Sequence, residues 1–355
     1  MKLTTLALSV LIALLAPGLA HAQTNNGFPD LPPVKGTPQL PSSPGTTFTF
    51  IVAGDNRPQG NTPTQPAVLK QIFIDAQQYK PAFFLWCGDT IAGHTKKTST
   101  LQQQYGAFIT IAAQAKAPIF NAPGNHEMDL IVSPAPAVTF EVPNAQMLAA
   151  YLKYMRDPPN TPPFAYGAFN FGNSRFIAMN TEEVVPQNVT RSPGRVVSGA
   201  KFDPGYVTPE QIAALTQDLE NNKSMEHIFI FMHHPLVPNN ILNGLNLSTS
   251  LQLQKLFASY PNVSFVLAAH EHLFYNPGGT SSTVPSWTSG KNQPPVYVVT
   301  GGAGAPLDKC DKTNTTGYCD DKTNHYLVFT VNGDTVTVTF VPVKSPSTKK
   351  NGGKK

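Results

Sequence analysis

The chain of 355 residues is sparingly charged, at 13% against about 25% in ordinary soluble domains, and it carries 34 prolines. Its formal charge of +4 sits at the ends: Lys2, Lys344, Lys349, Lys350, Lys354 and Lys355 supply six positive charges, and without those six the body stands at −2. Such a body gives no nucleic-acid partner to expect, and beyond the N-terminus no apolar run is long enough to span a bilayer, so no membrane span is expected.

Residues 1–22 read as a secretory signal. Lys2 precedes an apolar run from Leu3 to Leu15, a Pro17-Gly18 break and a small-x-small exit at Ala20-His21-Ala22. The expected location is therefore secreted or periplasmic. Residues 23–46, rich in Pro and Asn with no apolar period, read as a lead-in arm. One large domain is expected over 47–343, followed by a basic, solvated, disordered tail over 344–355. Nothing in the sequence sets the oligomeric state.

Within the domain, short apolar runs alternate with amphipathic segments, which predicts a layered α/β architecture. Strands are expected at Phe48 to Ala53, Ala82 to Cys87, Pro118 to Ala122, Arg175 to Met179, His227 to Met232, Val263 to Ala268 and Val296 to Thr300. Several are continuously apolar, as strands buried on both faces are. Helices are expected around Val68, Ile72 and Ala76. A second should follow a capping box of Ser99 and Gln102, and a third should follow Thr208 and Pro209, with the Gln211 side chain reciprocating the cap. The run from Tyr326 to Val341, broken at Asn332-Gly333-Asp334, reads as a closing hairpin. Ile131 to Pro143 and Asp157 to Phe164 read as irregular loops near a pocket. Cys310 and Cys319 are expected to pair in an oxidising compartment; Cys87 reads as a buried small hydrophobe.

Five polar clusters follow apolar runs, where an open α/β sheet gathers its ligand-binding groups. They are Gly54-Asp55-Asn56-Arg57, Gly88-Asp89-Thr90, Gly124-Asn125-His126-Glu127, His233-His234-Pro235 and His270-Glu271-His272. Carboxylates and neutral imidazoles in this number suit borderline-hard cations, and one shared carboxylate lets two ions sit close together.

This order of blocks resembles the calcineurin-like metallophosphoesterase superfamily, whose pattern runs Asp-x-His, Gly-Asp-x-x, Gly-Asn-His-Glu/Asp, His and Gly-His-x-His. The resemblance covers roughly Thr47 to Val341 and is most specific at Gly124-Asn125-His126-Glu127 and His270-x-His272. It implies a layered α-β-β-α sandwich with mixed sheets and an active site at the carboxyl ends of the strands. It also implies two divalent or trivalent ions, of Fe, Mn or Zn. Asp55 and His272 would bind the first, Asn125, His233 and His270 the second, and Asp89 would bridge them. A water activated between the ions would then attack the phosphorus of a small phosphate mono- or diester, with His126 protonating the leaving oxygen and Glu127 orienting it. His233 is taken as the ligand because it directly follows its strand and precedes a residue-Pro pair. His234 then stands behind the ligands or faces the substrate, and the two could be exchanged.

Departures from the pattern matter. Arg57 replaces the first block's histidine, and it either clamps a substrate phosphate or forms a salt bridge. Purple acid phosphatases also lack that histidine, but they supply a tyrosine where this chain has Ala92, so no tyrosinate–iron centre is expected. The alternative function is a degenerate member that binds metal or a phosphorylated ligand without turnover. His94 reads as a polar loop residue, Thr300-Gly301-Gly302-Ala303-Gly304-Ala305 as a structural turn, and Asp308, Asp311, Asp320 and Asp321 as a solvated acidic loop.

Overall fold

Residues 27–42, 45–135, 138–156, 164–183, 205–291 and 293–344 are described by the computed structural model. Residues 1–22, read above as a secretory signal, Asp157 to Pro163 and nearly all of the basic tail lie outside the described residues.

Among the described residues the strands form a six-stranded sheet, a seven-stranded sheet and a two-stranded ribbon. In the first, the order is Trp287–Thr288, Thr335–Pro342, His325–Asn332, Thr47–Ala53, Phe84–Trp86 and Ile119–Asn121. Its last three strands run parallel, and the others join antiparallel. The second orders Tyr318–Asp320, Phe274–Asn276, Val296–Thr300, Val263–Ala268, His227–Phe231, Ser174–Ala178 and Gly167–Phe171. Four central strands, from Val296–Thr300 to Ser174–Ala178, are parallel. Both sheets are thus mixed.

Alternation along each strand sorts side chains between two layers. Phe48, Phe50 and Val52 face the other sheet, while Ile51 and Ala53 face the helices Ala67–Ala76 and Thr98–Ala112. The second sheet packs its outer face against Pro209–Asn221 and Leu247–Ala258. The result is the α-β-β-α sandwich. Between the sheets lies an aromatic cluster centred on Phe50, whose ring is 4.9 to 5.3 Å from those of Phe83, Phe176, Phe229 and Phe329.

Several local expectations meet a different outcome. The helix Thr98–Ala112 starts one residue before Ser99, with Lys97 at its cap and no side-chain cap bond. Thr208 does cap Pro209–Asn221, accepting from the Gln211 N–H at 3.1 Å. The Gln211 side chain, however, is drawn to the Asn180 backbone instead of reciprocating. Ile131 to Pro143 lies within an antiparallel ribbon, Asp129–Ala135 with Val138–Pro143, whose register shifts between Val132 and Ala135. A free-standing pair tolerates proline because few of its N–H groups need a partner. Helices Ala145–Met155 and Leu247–Ala258, absent from the expectation, begin at Asn144 and Asn246, whose side chains accept from the N–H two residues on.

The lead-in arm packs against the domain. Leu31 and Pro29 bond the backbone of Ala168, and Val34 bonds that of Ile119, so the arm covers one edge strand of each sheet. Phe28, Leu31 and Val34 are buried in doing so. Cys310 and Cys319 form a disulfide, and Cys87 is buried and free.

Phe50 contacts rings from both sheets, so Phe50→Ala should lower the unfolding free energy by about 3–5 kcal/mol, as buried aromatic deletions do. Denaturant titration followed by circular dichroism measures this. A loss below about 1 kcal/mol would contradict a tightly packed inter-sheet layer.

Candidate metal centre

The carboxyl ends of the two sheets meet in one cleft. Asp55, Asp89 and Asn125 follow strands of the first sheet; His233, His270 and His272 follow strands of the second. Three of these six take left-handed backbone conformations, Asp55 at φ 63°, Asp89 at φ 55° and His270 at φ 68°. Non-glycine residues hold such angles at a cost of roughly 1–3 kcal/mol, which the surroundings must overcome. Here the tight reversals aim the side chains back across the strand ends.

The structure brings all six together, in two groups. The ligand atoms of Asp55, Asp89 and His272 lie within 4.8 Å of one another. In the other group His233 Nε2 stands 2.9 Å from Asn125 Oδ1, 3.1 Å from His270 Nδ1 and 3.4 Å from Asp89 Oδ1. Asp89 thus touches both groups. Asn125, His126, His270 and His272 line a cavity of about 220 Å³ whose wall is completed by Arg57, Asp89, Asn243 and Asp308.

The donor set fits cations. Both oxygens of Asp55 are buried and accept no hydrogen bond from the protein. Burial, and then the neighbouring Asp89, push its carboxyl well above the usual range. A carbonyl can only accept, so the 2.8 Å contacts from His233 Nδ1 to Cys87 O and from His272 Nδ1 to Pro306 O fix the protons on Nδ1. Each Nε2 lone pair is left facing the cleft. Burial, followed by the adjacent His234, holds His233 down at about 4, and burial also lowers His272. Neutral imidazoles beside two crowded carboxylates are complementary to positive ions.

The model of the calcineurin-like phosphoesterase family matches residues 48–274. The chain belongs to that family. No curated protein matches this chain significantly in sequence. Among solved structures it is similar to a purple acid phosphatase from yellow lupin (Lupinus luteus) seeds, with a TM-score of 0.61 and 15% identity; the alignment covers 85% of this chain and 52% of the lupin chain. A dimetal phosphatase from Danio rerio gives a TM-score of 0.53 at 12% identity, over 84% of this chain and 100% of its own. GAP50, the anchor in the inner membrane complex of Plasmodium, gives 0.52 at 12% identity, over 84% and 85%. At these identities the likeness is one of fold.

The surroundings of the candidate metal centre correct several expected roles. Glu127 does not orient His126. Its buried carboxylate accepts from the N–H groups of Asp89, Thr90, Ile91 and Gly124 and from the Thr90 hydroxyl, and so fixes the loop that carries Asp89. Burial nevertheless pushes it up to about 7. His126 is set by Ala92 O, 2.6 Å from its Nδ1, so its Nε2 faces the cavity 3.8 Å from Asp89 Oδ2. His94 packs on it with ring centres 4.1 Å apart. His234 does not line the cavity: its Nδ1 lies 2.8 Å from Glu182 Oε1 and 3.2 Å from the Thr181 hydroxyl. It remains near enough to His233 and His270 for the three to share an ion geometrically, but it is His233 whose Nε2 points toward Asn125 and Asp89. Arg57 Nε sits 3.5 Å from Asp89 Oδ2, with its side chain a quarter exposed at the cavity wall.

Asp308 stays half-exposed on its loop, as expected, and in addition accepts from the His272 N–H at 3.0 Å. Glu271 accepts from the Asn239 and Asn240 N–H groups and pins the segment after His233. In the glycine turn, a Cβ on Gly301 would lie 2.4 Å from Asp55 Oδ2, and one on Gly124 would lie 2.3 Å from Asp89 Oδ1. Both glycines are therefore what admits the carboxylates. Glu141 and Glu182 had no sequence signal: neither belongs to a motif, and only the fold brings them in.

Crowded, buried carboxylates destabilise the metal-free protein, and Asp55, raised by burial and by Asp89, is the less compensated of the two. Asp55→Asn should therefore raise the melting temperature of metal-stripped protein by roughly 2–4 °C, about 1 kcal/mol. It should also remove most of the stabilisation that wild type gains from Mn²⁺ or Zn²⁺. Thermal melts with and without chelator read both effects, and a metal-stripped variant melting at or below wild type would contradict the repulsion.

Proposed function

We propose that this protein is an exported hydrolase of phosphate mono- or diesters that works with two bound metal ions. The supporting observation is the convergence of both sheets' strand ends on Asp89, which touches the Asp55–His272 group and the Asn125–His233–His270 group alike. In this reading Asp55 and His272 hold one ion, Asn125, His233 and His270 hold the other, and Asp89 is shared. Fe, Mn and Zn all accept such oxygen and nitrogen donors. When bound, the ions supply Lewis-acid polarisation of phosphate oxygens and an acidified water.

The chain's own residues do the rest. His126, anchored through Nδ1, turns its Nε2 into the cavity and can deliver a proton to a leaving oxygen there. Arg57 reaches the same cavity with a guanidinium that suits phosphate oxygens in two-point geometry, while its Nε stays beside Asp89. Export is supported by the Cys310–Cys319 disulfide, which persists in oxidising compartments, together with the signal-like residues 1–22. Residues 47–343 would form the catalytic domain.

A second reading, binding without turnover, is favoured by Arg57 in place of the family's histidine and by the occurrence of the fold in an anchoring protein. Hydrolysis of an aryl phosphate and a bis-aryl phosphate, with Mn²⁺, Zn²⁺ or Fe added to stripped enzyme, separates the two. Asp89→Asn and His126→Ala should each lose about a hundredfold or more in kcat/KM. Wild-type turnover in both variants would remove the hydrolase reading, and tight metal binding without hydrolysis across a phosphoester panel would establish the second.

A further inference from the structure

Glu141 enters the centre from Val138–Pro143, the second strand of the ribbon. The residue is 4% exposed, and its Oε2 accepts from Asn125 Nδ2 at 2.5 Å, a bond that an ionised carboxylate makes stronger than a neutral acceptor would. The same oxygen lies 3.6 Å from His94 Nε2. On its other side the Asn125 amide presents Oδ1 to His233 Nε2 at 2.9 Å.

That second contact is unfavourable by itself. His233 carries its proton on Nδ1, where it donates to Cys87 O, so Nε2 is an acceptor facing the acceptor Oδ1. A flipped amide would turn Nδ2 to His233 and gain a hydrogen bond. It would then point its oxygen at Glu141, a buried group that can only accept while ionised, and the charge-assisted bond outweighs the neutral one. A carboxylate at this position therefore dictates which end of a two-ended side chain meets the imidazoles.

We infer that Glu141 is a positioning residue that locks the Asn125 amide with Oδ1 toward His233 and His270, the orientation in which asparagine can ligate a cation. An amide nitrogen has no free lone pair for a metal, so a flip removes one ligand outright. This inference rests on the metal-centre reading above and adds to it a residue that touches neither ion.

The test is metal affinity, measured by calorimetric titration of stripped protein with Mn²⁺ and with Zn²⁺ and by elemental analysis of the loaded protein. Glu141→Leu should weaken the more weakly held ion by about 10–100-fold, the usual effect of losing a group that orients a ligand. Glu141→Gln keeps an acceptor and should lose only about threefold, since a neutral acceptor is roughly half as strong. In an Asn125→Asp background both ends of residue 125 are oxygens, so Glu141→Leu should cost nothing there. A merely structural role would weaken binding equally in both backgrounds, and that result overturns the inference. So does wild-type affinity in Glu141→Leu, or a hundredfold loss in Glu141→Gln, which also decides the matter should the leucine variant not fold. A wild-type chain that takes up no ion defeats the metal centre itself, whereas normal loading beside an unimpaired Glu141→Leu defeats only the part assigned to Glu141.

Discussion

The constraint on which the structure turns is the burial of two carboxylates, Asp55 and Asp89, side by side at the meeting of two sheets. Neither can be there for packing. In a low-dielectric site like charges repel strongly, and an isolated buried carboxylate neutralises itself unless a positive partner is present. The protein answers Asp89 in part, with the Arg57 guanidinium at 3.5 Å and the His126 N–H at 3.2 Å, and leaves Asp55 less compensated, its carboxyl raised by burial and by Asp89. Around them the imidazoles of His233 and His272 are kept neutral by burial and turned lone pair inward by backbone carbonyls. A core built for stability alone would do the opposite at each of these positions.

Holding such a cluster requires a frame stiffer than the cluster's own repulsion, and the frame is built largely from backbone N–H groups collected by glutamates. Glu127 gathers four of them and sets the Asp89 loop; Glu271 gathers two and sets the segment behind His233. Both acids sit next to a motif histidine in sequence, yet each works on a loop belonging to another motif, which ties the strand ends to one another. The left-handed turn at Asp89 is held by the Glu127 ties, which over-determine that loop. Gly124 and Gly301 complete the arrangement by leaving out the Cβ that each carboxylate would strike.

What was legible in the sequence was whatever a strand end announces by itself. Continuous apolar runs marked strands buried on two faces, and the polar residues just beyond them proved to share one cleft, Asp55 and Asp89 with His233, His270 and His272. The groups that orient those side chains were illegible because their relevance lies in contacts across long separations. Glu141 is 16 residues from Asn125, in a Pro- and Ala-rich stretch whose strand pairing no periodicity betrays. Asp308 stood among other acids of a polar loop, and only the path of the chain past His272 distinguishes it. Glu127 was visible but misassigned, since adjacency to His126 suggested a partnership that the Ala92 carbonyl takes instead. Helices capped by Asn144 and Asn246 were missed although each cap was readable, because the apolar stripes behind them are short.

Arg57 gathers these considerations into one balance. Where the family pattern has an imidazole, this chain carries a permanent cation, so the site exchanges a neutral donor for a charge beside Asp89. Ion binding at the Asp55–His272 group is thereby opposed twice, by one ligand fewer and by a positive neighbour. Asp308 works in the other direction: it holds the His272 backbone and lies 4.0 Å from that ring's Nδ1, adding negative charge to the same wall of the cavity. For a phosphate the signs reverse, because a guanidinium at the cavity wall attracts the dianion or monoanion before any bond is broken. In the proposed reading the substitution would therefore shift binding energy from the cation to the anion.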